Sequence, residues 1–432
     1  MTSGRIVPRV VVAKGIRAFG DGFVSLLLPL YLLDLGFDPL AVGIIATATL
    51  LGSGLLTLAV GLHAHRWHDR TLLLAAAALM TATGLGFAFT VDFWPLLVIA
   101  IVGTLNPSSG DVSVFLPLEH AVLSRAAAST DRTRVFARYS LVGAIAAGVG
   151  SLAAALPEAL SGLTGLSSRA SLQAMFVLYA ALGLVVAVAY RGLPRARATD
   201  VPAKLTPLRE SRKRVFLLAA LFSLDAFGGG FVVQSMVALW LYQRFGMSLE
   251  LAGVIFFWTG MLTALSYLVA VRIAARIGLV NTMVFTHLPS SVCLILMPLM
   301  PEVGYVIVLL LIRSALSQMD VPTRSSYVMA IVPPAERPAA ASVTSVPRSL
   351  ASAASPLLAG YLLSVSTFGW PLVAAGGLKI VYDLLLLSWF RDVRPPEESV
   401  APDGVSSRPH PASETDGAGR TRTGTRPPRP RH

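Results

Sequence analysis

The chain is poor in cysteine, in charge and in acid. One cysteine, Cys293, occurs in 432 residues, so no intrachain disulfide can form and a soft metal lacks thiolate ligands. Charged residues make up 13% of the sequence, about half the share found in soluble domains. A further absence is catalytic. There is no phosphate-binding loop, no G-x-S-x-G and no H-E-x-x-H, so no enzyme activity is expected. His63, His65, His68 and Asp69 have superficial metal-ligand spacing, but they crowd one short loop, where weak adventitious binding is the plainer reading. Neither a metal nor a cofactor is assigned.

What is present is apolar. Hydrophobic residues reach 54% and mean hydropathy is +0.69, which excludes a water-soluble globule. The apolar residues fall into twelve blocks, each long enough as a helix to cross a hydrocarbon core of ~30 Å. The expected spans are 10–34, 40–62, 71–91, 94–123, 135–157 and 172–190, then 215–243, 249–271, 279–300, 303–331, 339–364 and 370–391. Met1 to Gly20 runs straight into a full span without a short apolar run and cleavage site, so the first helix is expected to stay.

The formal net charge of +12 marks topology. Basic residues concentrate in the head and in alternate loops, leaving Arg169 and Arg244 in the others. Positive-inside orientation then puts both termini in the cytoplasm of a multi-pass protein of the cell (inner) membrane. Because the bases are spread over every inner loop, no nucleic-acid partner is expected. The layout is a head at 1–9, a six-helix bundle at 10–190, a basic linker at 191–214, a second bundle at 215–393 and a basic Pro, Ser and Gly-rich tail at 394–432, read as disordered.

The two halves resemble each other. Ala18-Phe19-Gly20-Asp21-Gly22-Phe23-Val24 matches Ala226-Phe227-Gly228-Gly229-Gly230-Phe231-Val232, and Gly36 with Gly43 recurs as Gly246 with Gly253. Ser108, Asp111 and Val112 align with Ser317, Asp320 and Val321. Two six-helix halves in one orientation, handling substrate between them near the midplane, are the architecture of a rocking secondary transporter.

At this point the sequence resembles the major facilitator superfamily over about residues 10 to 391. The family's loop after helix 2 reads roughly G-x-x-x-D-R-x-G-R-R. The segment Gly61-Leu62-His63-Ala64-His65-Arg66-Trp67-His68-Asp69-Arg70 keeps Gly61, Arg66 and Arg70, with His65 in the acidic position. The second copy keeps Arg276 and Gly278, with Ala275 where the acid belongs. The resemblance implies a charge-locked cytoplasmic gate, in which Glu119, near the inner end of helix 4, is expected to pair with Arg66 or Arg70; a solvated helix-end acid is the alternative.

Ionisable residues at mid-span cost ~2.5 to 3.5 kcal/mol each on insertion scales, so each needs a reason. Arg313, Ser317, Asp320 and Arg324 are spaced 4, 3 and 4, one stripe of a continuous helix. Helix 4 repeats it with Thr104, Ser108 and Asp111. Helix 1 adds Arg17 and Asp21, helix 7 Asp225 and Gln234, and helix 12 Lys379 and Asp383 at i, i+4. Helices 1, 4, 7 and 10 line the central cavity in the family, so the resemblance implies that Asp21, Asp111, Asp225, Arg313 and Asp320 line it here. Asp21 and Asp320 are the expected proton carriers, with Arg313 as switchable partner. Lys379 with Asp383 reads as a structural ion pair, and His287 as a hydrogen-bonded core histidine.

The expectation is an all-α membrane protein of twelve transmembrane helices in two pseudo-symmetric six-helix bundles. It would move a small-molecule substrate by alternating access, with protons, as a monomer in the lipid bilayer. Export by antiport is preferred; uptake by symport stays open. The drug-exporter run G-P-x-x-G-G is missing from helix 5, whereas helix 11 carries Ser355-Pro356-Leu357-Leu358-Ala359-Gly360. The run Asp320-Val321-Pro322-Thr323-Arg324 is similar to a permease branch that includes arsenite and antimonite exporters. A non-transporting scaffold or receptor is disfavoured by the duplicated charged helices.

Overall fold

The computed structural model describes residues 6–63, 67–108, 113–126, 132–194, 208–333 and 336–391. The described elements are all helical and trace twelve spans. Spans 1 to 3 are Ile6–Asp34, Pro39–His63 and Asp69–Phe89; span 4 is Phe93–Val102 followed by Phe115–Ala126; span 5 is Arg132–Leu152 running on to Leu156–Thr164; span 6 is Ser168–Arg191. Span 7 is Arg212–Gly230 with Gln234–Phe245, span 8 Leu249–Ile277, span 9 Leu279–Leu296, span 10 Val303–Leu316 with Asp320–Ile331, span 11 Arg337–Val365 and span 12 Trp370–Phe390. Nine of these helices, by length and composition alone, suffice to cross a membrane, and the shorter apolar pieces Phe93–Val102 and Val303–Leu316 belong to spans 4 and 10.

Three spans break near their middles, where freed backbone groups must find partners inside the protein. In span 4 the chain leaves the helix at Gly103; Thr83 Oγ1 accepts the Thr104 N–H at 3.3 Å and the Tyr179 hydroxyl donates to the Thr104 carbonyl at 3.2 Å. Span 7 breaks after the Gly228-Gly229-Gly230 run, whose missing side chains disfavour a helix interior. The Ser235 N–H then donates to the Pro107 carbonyl at 3.1 Å, so the breaks of spans 4 and 7 are stitched together. Span 10 turns at Ser317–Met319, where Pro322 has no N–H to continue the ladder. The aligned Ser108 and Ser317 of the repeat thus lie at the breaks in spans 4 and 10.

The packing is pseudo-symmetric. Span 1 packs on spans 5 and 6 as span 7 packs on 11 and 12, and spans 3 and 6 pair as 9 and 12 do. Between bundles, span 2 meets span 11, span 5 meets span 8, and the second half of span 7 meets span 1. These meetings lie in the halves of the helices away from the face that carries both ends of the helical region. A Cβ on Gly43 would stand 2.5 Å from the Pro356 carbonyl oxygen and 2.9 Å from Gly360 Cα, so only glycine permits the crossing of spans 2 and 11. Thr47 Oγ1 accepts the Leu357 N–H at 2.8 Å beside it. Toward the terminal face the bundles part. The first half of span 7 packs on spans 11 and 12, and Leu55, Leu58, Val346 and Leu350 of spans 2 and 11 are exposed.

Loop chemistry ties the terminal face of the second bundle. Gly278 takes φ +85 to turn span 8 into span 9. The Glu336 carboxylate accepts the backbone N–H groups of Arg209, Glu210 and Ser211 and the Ser211 hydroxyl, capping span 7 from the loop between spans 10 and 11. Those bonds, the Ser211 hydroxyl first, pull the Glu336 carboxyl down from 4.5 to about 2.

Two outcomes are expected. Replacing Gly43 with leucine forces spans 2 and 11 apart; in a Cys293→Ser background, impermeant-maleimide labelling of a cysteine placed at Gln234 from the face opposite the termini rises, and unchanged labelling contradicts the tight crossing. Because the folded pKa of Glu336 lies below its ordinary value, its stabilisation is present above pH 4.5 and is lost as pH falls through about 2. Glu336→Gln therefore lowers the melting temperature at neutral pH, and the gap to wild type closes toward pH 2.

Candidate functional site

Each bundle buries one ionic network. In the first, span 1 carries Arg17 and the second half of span 4 carries Glu119, which is 0% exposed. Arg17 Nη2 pairs with Glu119 Oε2, and the guanidinium lies 4.0 Å from the Phe115 ring centroid. Two tyrosine hydroxyls complete the carboxylate's shell: Tyr139 of span 5 and Tyr190 of span 6 each donate to it at 2.6 Å. This is a fully engaged anion, held from three other spans. Asp21 is buried one helical turn from Arg17.

The second network is larger. Asp225 of span 7 accepts from Lys379 Nζ of span 12 at 2.7 Å and from Arg324 Nη2 of span 10 at 2.9 Å. Arg324 also pairs with Asp320 one turn below and faces the Phe222 ring at 5.1 Å. Its Nε and Nη1 are buried without a hydrogen-bond partner. His287 of span 9, 3% exposed, sits at the far end. Its Nδ1 is 3.0 and 3.1 Å from the two Asp383 oxygens; its Nε2 is 3.4 Å from Lys379 Nζ and 3.6 Å from Asp225 Oδ1. The imidazole thus links two carboxylates on spans 7 and 12.

The repeat relates the networks with a change of sign. The offset that matches Ala18 to Ala226 places Arg17 opposite Asp225. One bundle has its cation on the first helix and its anion on the fourth; the other puts the anion on the first and the cation on the fourth.

Several expectations change. Glu119 pairs with Arg17 inside the bundle rather than with Arg70, because its helical face turns toward spans 1, 5 and 6. At the terminal face Asp69, at the start of span 3, pairs with Arg125 at the end of span 4. Arg70 lines a 150 Å³ cleft beside that pair, Arg276 is exposed in the last turn of span 8, and Gly278 makes the turn that follows. Gly61 is helical, while Arg66 and Asp111 lie outside the described residues, as do 195–207 of the linker and 392–432 of the tail. Lys379 and Asp383 are not partners of each other; Lys379 binds Asp225 and Asp383 binds His287, because the two face different neighbours across spans 7 and 9. The four-residue stripe on span 10 is divided by the turn at Ser317–Met319. Asp320 and Arg324 stay together, whereas Arg313 makes no ion pair with any described residue and its buried Nε has no hydrogen-bond partner among them. Ser317 is 9% exposed at that turn, and Gln234 sits at the break of span 7, its Nε2 3.5 Å from Ser151 Oγ across the bundle interface.

Sequence reasoning missed Tyr139, Tyr190 and Asp69 as partners, and read His287 only as a hydrogen-bonded core histidine. A tyrosine in an apolar helix carries no pattern that betrays its partner. For His287 the signal was its place at mid-span, where any ionisable group has to be matched.

The ion pair of the first network gives a stability test. Glu119→Leu leaves Arg17 buried without its anion, a loss of roughly 3–5 kcal/mol, seen as a large drop in the melting temperature of detergent-purified protein. Adding Arg17→Met restores most of it. If the double variant is no more stable than the single, the pair is not the reason both charges are tolerated.

Comparison with known proteins places this geometry. The profile of the Major Facilitator Superfamily matches residues 10–318 and again 225–425. The chain is 25% identical over 414 residues to the uncharacterized membrane protein YJR124C of Saccharomyces cerevisiae, across 88% of this chain and 92% of that one. Three solved structures share the fold. They are a bacterial homologue of the human lysosomal transporter Spinster, inward-facing and occupied (TM-score 0.70, 14% identity, 89% and 95% covered), the nucleoside transporter NupG (0.68, 13%, 89% and 99%) and the human organic anion transporter MFSD10 (0.61, 17%, 89% and 100%).

Proposed function

The chain belongs to the major facilitator superfamily, and on that premise we propose that it is a proton-coupled secondary transporter, exporting a small molecule by antiport, with the proton handled by the second network. The solved relatives carry unlike cargoes, a nucleoside in one and organic anions in another, so the shared fold leaves substrate choice to the side chains between the bundles.

One observation carries the proton assignment: the buried imidazole of His287 between Asp383 and the Lys379–Asp225 pair. With the ring neutral, Nδ1–H donates to Asp383 and the Nε2 lone pair accepts from the Lys379 ammonium. A proton added at Nε2 turns that acceptor into a donor. Nε2–H then competes with Lys379 for Asp225, and the two cations repel. Asp225 has three candidate donors, Arg324, Lys379 and His287, from spans 10, 12 and 9, so protonation redistributes the ties that hold span 7. Span 7 also bonds the break of span 4 through Ser235, which supports a link from the proton site to the contact between bundles. A substrate that competes for Asp225 and Asp320 gives exchange rather than co-transport, which is why antiport is the reading adopted. Asp320 belongs to this proposed site through its pairing with Arg324 rather than with Arg313.

The bundles part toward the terminal face, and the basic loops lie on that same side. A cytoplasmic terminal face and an inward-open state fit both observations.

The cargo is found with a sensitivity panel of antibiotics, dyes, metalloids and toxic metabolites in a pump-depleted host. In proteoliposomes, His287→Gln is then expected to cut pH-gradient-driven flux roughly tenfold or more while counterflow exchange stays near wild type. Full gradient-driven flux in His287→Gln and in Asp383→Asn sinks the proposal.

A further inference from the structure

A second opening lies on the face opposite the two ends of the helical region, distant from both ionic networks. It is a cavity of about 620 Å³ between the bundles, walled by the ends of spans 1 and 5, the start of span 6 and the turn from span 7 into span 8. Its volume is in the range of small-molecule pockets. The lower wall is apolar, with Leu172, Met247 and Leu249. The rim is acidic and aromatic. Glu158 lines it and makes no hydrogen bond or ion pair with any described residue; Tyr242 lines it and is 42% exposed. Asp34 also lines it, held by Arg169, whose Nε is 3.0 Å from Oδ2 and whose Nη2 is 2.7 Å from the Asp34 carbonyl. The other nearby cation, Arg244, is turned away: it donates to the Phe368 carbonyl at 3.1 Å and stacks on Phe245 and Phe368. With Asp34 and Arg169 cancelling, the cavity keeps one uncompensated negative charge, and an exposed aromatic ring lines the same space.

We propose that this vestibule binds an organic cation with an apolar body, the ammonium head set between the Glu158 carboxylate and the Tyr242 ring. A carboxylate and an aromatic face are the two protein groups that attract an alkylated ammonium, and the apolar wall takes the rest. Because the walls come from both bundles, the ligand is held only while the distal halves are together. Occupancy therefore stabilises that arrangement against the rocking motion, and a cation added on the distal side slows the transport cycle.

The test uses the full chain purified in an uncharged maltoside detergent and benzyltriethylammonium as probe, followed by calorimetry. One site per chain is expected. Glu158→Gln and Tyr242→Leu each weaken binding roughly fivefold or more, whereas Asp92→Asn, an exposed acid of the same face outside the cavity, leaves it unchanged. His287→Gln also leaves it unchanged, which separates this site from the proton network. Equal weakening by Asp92→Asn means diffuse surface charge and overturns the site. So does unchanged affinity in both Glu158→Gln and Tyr242→Leu. Loss of the probe's binding heat on adding phosphatidylethanolamine assigns the cavity to a lipid headgroup and overturns the free cation as its occupant.

Discussion

Inside a hydrocarbon layer there is no water to absorb a charge or an unpaired backbone group, so each must be matched within the protein or exposed to an aqueous opening. That constraint shapes both bundles. Where spans 4 and 7 leave the helix, Thr83, Tyr179 and the Ser235–Pro107 bond take up freed amides and carbonyls. Where Arg17 and Glu119 enter the core, they come as a pair with two tyrosine hydroxyls already in place.

The same requirement is met differently in the two halves. Glu119 has a settled set of donors, which favours one arrangement and a stiff bundle. Asp225 is shared between lysine and arginine at 2.7 and 2.9 Å, with the His287 Nε2 waiting at 3.6 Å. A cluster with several near-equivalent pairings can pass from one to another at small cost, the property a switching element needs. Arg17 and Asp225, equivalent in the repeat, carry opposite charges, and each meets a counter-charge on the fourth span of its own bundle.

Between the bundles the contacts are of another kind. Gly43 against Gly360 and the Thr47–Leu357 bond bring backbones together without ion pairs, and every ion pair among the described residues lies within a single bundle. Bundles that cohere internally by charge and meet externally by small residues can move as rigid bodies, because the costly interactions do not cross the plane along which they part.

Much of this was legible in the order of residues. Block length and hydropathy determine the membrane, the twelve spans and the fold, since a helix must cover ~30 Å of hydrocarbon; the Ala18–Val24 and Ala226–Val232 match determines the duplication. The presence of Arg17, Asp225, Asp320, Arg324, Lys379 and Asp383 at mid-span announces buried polar sites. Their pairing was decided only by tertiary structure. A spacing of four makes Lys379 and Asp383 neighbours on one helix, yet spans 7 and 9 offer each a better partner; a three-residue turn in span 10 removes Arg313 from Asp320; and Glu119 finds its arginine 102 residues away. Sequence periodicity reports which face a residue occupies, whereas the counter-charge it meets depends on which helix the fold brings to that face.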